Sequence, residues 1–354
     1  QWFVRMTKLA KPALDSVLNG EIKFHPNKYV NVYRNWMENI RDWNISRQLY
    51  WGHRIPVYYL KQDNSKFVVA RNNNEALKKF KLKFNISSIS SSDFFQDNDV
   101  LDTWFSSWLW PISVFDGVRN PDNEDISYYY PTSDIVTGPD ILFFWIARMI
   151  MSGYYLKNQK PFKNVYFTGL VRDEKGRKMS KQLGNSPDPI ELIESYGADG
   201  VRIGLLFSAP AGNDLLFDKK LCIQGKNFSN KIWNAYRLID GFEVSSKKEQ
   251  EIFEISAIKW FEEEFNSKVI DIDNAFDNFK ISEALMITYK LVWDDFCSTF
   301  LEIVKPKYGD KISPKTELEI NNLFIKILSI LQPFMPVSYT HLRAHETRGN
   351  LVCR

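Results

Sequence analysis

The chain is poor in cysteine and histidine and nearly balanced in charge. Its three Cys (Cys222, Cys297 and Cys353) lie far apart, without the close spacing of a structural metal site, so neither a disulfide framework nor a zinc module is expected. A reduced, cytoplasmic setting is the default that follows. The formal net charge of +3 is too small to argue for nucleic acid by itself, and any basic face would have to be local. No apolar run approaches a membrane span: the richest, Ile141–Ala147, is cut by Arg148. There is no signal peptide and no internal repeat. The chain opens in mid-pattern at Gln1-Trp-Phe-Val without a Met and reads as a fragment.

Aromatic residues are abundant. They make up 15% of the chain, with 11 Trp, which points to large cores or ring-lined pockets. Between Asn35 and Pro56 aromatics alternate with Arg, as on a surface meeting a partner or a nucleic-acid backbone, or as in an aromatic core capped by Arg. His53, after Gly52 in a turn, reads as structural. From Asp99 to Pro111 four aromatics fall in seven positions, more than one strand face needs; they line a pocket or fill a core.

In order, Trp2–Leu9 and Val30–Ile40 carry helical spacing, Tyr58–Val69 suggests a hairpin, and Ser88–Ser92 a loop. Tyr128–Val136 reads as a strand leading through the turn Thr137-Gly-Pro-Asp140 to a buried helix, Ile141–Met151. Gly138 permits close backbone approach to a ligand, and Asp140 stands where the helix begins, as a binding group or only as its N-cap. Val165–Leu170 is the next strand, and Ile190–Ser195 and Asp199–Phe207 are helical. Strand, helix, strand, helix is the doubly wound α/β pattern, which binds ligands beyond the strands' carboxyl ends. After Leu216 the chain turns all-α, with helices over Phe217–Ile239, Ser256–Ile270, Ile281–Val304 and Thr316–Leu331 forming a bundle. The third carries a stripe of Leu285, Val292, Phe296, Phe300 and Ile303 and ends at Lys305-Pro306. Residues 337–354 lose the helical stripe and resemble translated vector sequence joined to a gene, so they are set aside from the fold. His341 and His345 stand four apart there, a spacing open to a zinc pair, but no metal site is expected.

The stretch Gly169–Asn185 links a strand end to the helix-start signal Pro187-Asp-Pro189. It gathers Lys175, Arg177, Lys178 and Lys181, with Gly176 and Gly184 to reshape it. Such a mobile cationic loop beside a strand end suits holding a polyphosphate while charge moves onto its leaving group. A solvated basic turn would look the same.

Lys178-Met-Ser-Lys-Gln182 resembles the second signature of the class I aminoacyl-tRNA synthetases, with Gln182 where Ser is usual and both lysines kept. Asn44–Pro56, Asp99–Pro111, Val136–Met149 and Gly197–Ile203 resemble, in order, the blocks of that family's valyl branch from about Gln1 to Pro336. An isoleucyl-type chain would carry a Gln-His pair after Gly-x-Asp and a different Trp block; a leucyl-type chain differs more.

The resemblance implies α/β followed by all-α: the second half of a Rossmann-like nucleotide-binding fold, a stem-contact region, then a helical anticodon-binding bundle. Residues 1–60 would return from an editing insertion, 61–215 complete the catalytic domain with the stem-contact region, and 216–336 form a truncated anticodon-binding domain, with 337–354 a non-native tail. It implies ATP with Mg²⁺ as substrate and no tightly bound cofactor. Valine and its tRNA are the partners, and a monomer is expected. Lys178 and Lys181 would be catalytic, with Lys181 first in contact with ATP and Met179, Ser180, Gly138 and Asp140 also at the nucleotide, the last two at its ribose. Trp104, Ile141 and Trp145 would wall the amino-acid pocket, excluding isoleucine's extra methylene but not threonine's similar shape. No His-x-Gly-His occurs in the chain, so the first catalytic half and the editing domain are expected to be missing and the chain inactive alone. An isoleucyl-type synthetase and a non-catalytic tRNA-binding relative are the alternatives, though the latter would have no need of two lysines on a mobile loop.

Overall fold

A strand at Phe162–Phe167 runs through the first part of the molecule, with Phe162, Val165 and Phe167 wholly buried. That pattern suits a strand covered on both faces. It pairs in parallel with Lys23–His25 (Val165 opposite Phe24) and on its other edge with Thr132–Thr137. The helix Ala147–Lys157 forms the crossover between two of these strands and packs against the helix Met6–Leu18. The latter begins where the Asp42 carboxylate accepts the Met6 N–H at 3.0 Å, satisfying one of the donors a helix start leaves open.

The computed structural model describes residues 1–180, 182–208 and 211–352, with side chains only as far as Ala344. The chain divides into two compact units, Gln1–Tyr166 and Phe167–Arg354. Lys181, the His345 side chain and Cys353 lie outside the described residues.

Within the first unit, Val57–Leu60 pairs antiparallel with both Asp63–Val69 and Phe94–Gln96. This contains the expected hairpin. The Lys-rich stretch after it forms the helix Asn73–Phe84, which starts where the Asn72 side chain accepts the Glu75 N–H and ends at left-handed Asn85. Its buried face, Ala76 and Phe80, closes a small core with Tyr58, Leu60, Val68 and Phe94.

Three readings of this unit change. Trp2–Leu9 is not one helix: Phe3–Val4 pairs with Trp43–Asn44, and the helix starts at Met6. Tyr128 and Tyr129 close a short helix, Glu124–Tyr129, and the strand begins at Thr132. Asn123 accepts the Ile126 N–H, and Glu124 and Asp125 fill the first turn; this local capping outweighs the β preference of the tyrosines. The stretch after Asp140 is no uniform helix: Pro139–Ile141 is 3₁₀, Leu142–Ile146 is π, and α geometry starts at Ala147. The wider turn exposes Phe144, so the segment is not buried all round.

In the second unit the helices Ala198–Ser208 and Lys219–Asp240 meet backbone to backbone. A Cβ on Gly225 would lie 2.3 Å from the Gly200 carbonyl oxygen. The bundle adds Ile252–Asp277, a continuous run over Ile281–Val304, Pro314–Leu331 and Pro336–Val352. Its core is apolar and ring-rich, including Phe228, Phe261, Phe296, Phe300 and Phe324. Two more readings change here. Ile303 is exposed, and Leu301 and Val304 are buried instead. The reason is a π segment, Leu291–Phe300, whose wider turn shifts the register of everything after it. Residues 337–344 do not leave the fold: helix continues through them, Leu342 is fully buried, and Asp199 accepts the Ser338 N–H at 2.6 Å.

Candidate active site

The cationic loop is built on Val171–Arg172, which pairs in parallel with Leu215–Leu216. Gly169 lets the chain pass Asn213 closely, since a Cβ there would lie 1.7 Å from the Asn213 carbonyl oxygen. Arg172 then bridges back to Lys178, and the Met179 N–H reaches the Val171 carbonyl at 3.1 Å. The intervening turn closes at Gly176, whose φ of +75° favours glycine.

Asp173 and Asn185 hold this loop at its base. The Asp173 carboxylate accepts the backbone N–H groups of Lys175 (3.1 Å) and Arg177 (2.8 Å), the Arg177 Nε–H and the Asn185 amide (3.0 Å). Its acidity follows. The Asn185 amide holds it far below the usual carboxylate range; burial opposes this, and the backbone N–H and guanidinium of Arg177 assist. Asn185 in turn accepts the Ser180 N–H at 2.9 Å and reaches the Lys178 carbonyl at 3.3 Å. The backbone of Lys178-Met-Ser is thereby suspended between a turn and an amide. Lys178 is exposed, and Met179 and Ser180 are half-buried. Lys181 lies outside the described residues. A cavity of about 370 Å³ opens under the loop, lined by Asp173, Lys175, Arg177, Asn185 and Lys219 among others.

Sequence reasoning did not single out Asp173 or Asn185. Asp and Asn are ordinary turn formers, and nothing local to either marks a bond across 12 residues.

In the first unit, Gly138 caps the 3₁₀ turn Pro139–Ile141, so Asp140 is not the cap; it lies exposed in that turn. Trp104 and Trp145 meet edge to face with centroids 5.0 Å apart, and Phe144 lies 5.4 Å from Trp104. Ile141 is half-buried one turn earlier. Four of the expected residues, Gly138, Ile141, Trp104 and Trp145, thus belong to one half-buried region around the 3₁₀ and π turns. Asp102 anchors it by accepting the Trp104 N–H, the Trp43 indole N–H at 2.9 Å and the Arg47 guanidinium. In the aromatic stretches Trp43 and Trp108 are core, whereas Tyr50 and Trp51 are almost wholly exposed. His53 pairs with the Ser106 hydroxyl at 3.0 Å, a structural contact. Among the described residues, no group of His, Cys, Asp or Glu is arranged to hold a metal, and no helix is long and apolar enough to cross a membrane.

The family model for class I tRNA synthetases (I, L, M and V) matches residues 1–218, and that for the anticodon-binding domain of tRNA ligase matches 258–343. A curated relative, the valine–tRNA ligase of Christiangramia forsetii, is 55% identical over 336 residues, 95% of this chain and 38% of the relative. The chain therefore spans well under half the length of that protein. Among solved structures, Mycobacterium tuberculosis methionyl-tRNA synthetase bound by methionyl-adenylate matches with a TM-score of 0.69 at 17% identity, over 96% of this chain and 61% of that one. A ternary complex of Agrobacterium radiobacter leucyl-tRNA synthetase with tRNA and LeuAMS matches at 0.65 and 18%, over 86% and 41%. At these identities the structures speak to fold alone.

Proposed function

The chain belongs to the class I tRNA synthetases of the I, L, M and V group, and on that premise we propose that it serves the ATP-dependent activation of valine and its transfer to tRNA. The observation that carries the reading is the tethered loop: the backbone of Lys178-Met-Ser, held by Asp173 and Asn185 within the Lys-Met-Ser-Lys motif. Identity of 55% to a valine–tRNA ligase supports valine as the amino acid.

In this reading the valine carboxylate attacks the α-phosphate of ATP in line, the bond to the β-phosphate bridging oxygen breaks, and pyrophosphate leaves. Lys178 and Lys181 stabilise the negative charge that grows on the β- and γ-phosphates. Their attraction strengthens as that charge develops, so it lowers the barrier beyond what ground-state binding would do. Met179 and Ser180 present the loop backbone to the nucleotide. Gly138 allows close approach at the ribose, and the exposed Asp140 carboxylate accepts a ribose hydroxyl. Trp104, Trp145 and Ile141 wall the valine side chain with rigid rings, which sets an upper size limit. Mg²⁺ enters with ATP as part of the substrate. Residues 1–60 and 61–215 then serve the catalytic and stem-contact regions and 216–336 the anticodon-binding bundle, as a cytoplasmic monomer. Residues 337–354 stand outside this scheme as a tail, although helix runs on as far as Val352.

A chimera tests this. Residues 1–336 replace the matching stretch of the Christiangramia forsetii ligase, and valine-dependent ATP–pyrophosphate exchange is measured. Exchange is expected with valine, and Lys181→Ala is expected to lower it on the order of 10²-fold with tRNA binding kept. Equal activity in the variant would sink the role of the lysine. Isoleucine-dependent exchange would favour an isoleucyl-type enzyme, and tRNA binding without exchange a non-catalytic relative.

A further inference from the structure

The helix Ala147–Lys157 carries a cation that the reaction does not use. The Arg148 guanidinium lies 3.8 Å over the Trp43 ring, and its Nε and Nη1 are buried without a hydrogen-bond partner. Buried donors in folded proteins are nearly always satisfied, so such a pair calls for an explanation. Arg148 also lines a cavity of about 400 Å³, together with Trp36, Trp43, Arg41 and Asp42. Burial lowers its pKa to about 10, against the raising effect of Asp102 and with Arg47 adding to the lowering, so it stays a cation at neutral pH.

The nearby carboxylates are already engaged. Asp102 accepts from the Trp43 indole, the Arg47 guanidinium and the Trp104 N–H. Asp42, on the cavity rim, accepts the Met6 N–H at 3.0 Å. Arg41 adds a second, exposed cation on the same rim. A planar fork of donors, stacked on an indole beside a cavity whose rim carries Arg41 as well as Asp42, matches the geometry of a carboxylate.

We propose that the cavity between Met6, Trp36, Asp42, Trp43 and Arg148 is a carboxylate site, with Arg148 its receptor. The carboxylate oxygens accept hydrogen bonds from the guanidinium as it pivots over the Trp43 face. The group belongs either to a small free acid or to an acidic side chain of a polypeptide outside these 354 residues; relatives are longer than the matched span.

Thermal unfolding of the 354-residue chain, at fixed pH and ionic strength, provides the test. Acetate, its neutral isostere acetamide, chloride and inorganic phosphate are compared. Two peptides, acetyl-Gly-Glu-Gly-amide and its Gln counterpart, form the second arm. Acetate is expected to raise the midpoint where acetamide and chloride do not. Arg148→Gln should abolish that difference, and Arg148→Lys, which keeps charge but loses the fork, should need on the order of tenfold more acetate. Any rise common to wild type and variants is a general salt effect and is subtracted. A stronger response to the Glu peptide than to acetate assigns the side-chain source; a response to acetate alone assigns the free acid. No response to either carboxylate, an equal response to acetamide or phosphate, or an undiminished one in Arg148→Lys overturns the proposal. If Arg148→Gln does not fold, the wild-type acetate–acetamide comparison and the Lys variant decide.

Discussion

Asp173 is the residue on which the loop's shape rests, because it gathers two backbone N–H groups, a guanidinium and an amide into one carboxylate. Asp173→Asn keeps the size and removes the charge, leaving the Arg177 guanidinium without its ion pair. Amide exchange at Met179 and Ser180 is then expected to quicken on the order of tenfold, as charge-assisted bonds become neutral ones. Unchanged exchange would show that the strand pairing alone sets the loop. The pH dependence has a definite sign. A carboxylate whose folded-state pKa is depressed gives protection above its unfolded value of about 3.9, and loses it as pH falls through the folded one. Corrected for intrinsic rates, protection should stay level from about pH 8 to about pH 5 and fail only in stronger acid. Titration of the protection near neutral pH would remove Asp173 from this role. At this scale the sequence displayed the cations and glycines of the loop because they form a contiguous motif. The two residues that hold it were hidden in ordinary turn composition, since their pairing reaches over the motif from outside.

Elements obey the same split between what is local and what is shared. Periodicity located the helix Ile281–Val304, its stop at Lys305-Pro306 and most of its buried stripe, since each follows from residues within a turn or two. It missed the phase of the last turn. The Leu291–Phe300 π segment shows in the Ser298 and Thr299 hydroxyls, each bonded to the carbonyl five residues back. Its consequence is measurable. Val304→Ala should cost about 2 kcal/mol of bundle stability, because it empties a fully buried site. Ile303→Ala should stay within about 0.5 kcal/mol, as surface changes do. Urea unfolding followed by far-ultraviolet circular dichroism reads both, and the reverse order would mean a regular α-helix through Val304. The 3₁₀ and π turns over Pro139–Ile146 escaped sequence reading for the same reason. A short apolar run does not say how many residues make each turn, yet that number decides which rings face the Trp104–Trp145 region.

At the scale of the whole molecule, the change from α/β to all-α near Leu216 was plain in the sequence, because strand-like runs stop there and amphipathic helices begin. The packing partner of residues 337–344 was not, since Leu342 and the Asp199 cap connect segments far apart in the chain. Function at this scale depends on more than the loop. Lysines that stabilise charge on a leaving pyrophosphate act only on an ATP already oriented for in-line attack, and a misplacement of about 1 Å can cost on the order of 10²-fold. The chain lacks His-x-Gly-His, the other signature expected at the nucleotide, and spans 38% of the length of its Christiangramia forsetii relative. Purified alone, it is therefore expected to give no valine-dependent ATP–pyrophosphate exchange above a no-enzyme control, although its helical bundle is folded. Circular dichroism on the same sample separates an inactive fold from an unfolded one. Exchange that depends on valine and disappears with Lys178→Ala would mean that these 354 residues suffice for the reaction, and would sink the view that His-x-Gly-His is needed to orient ATP.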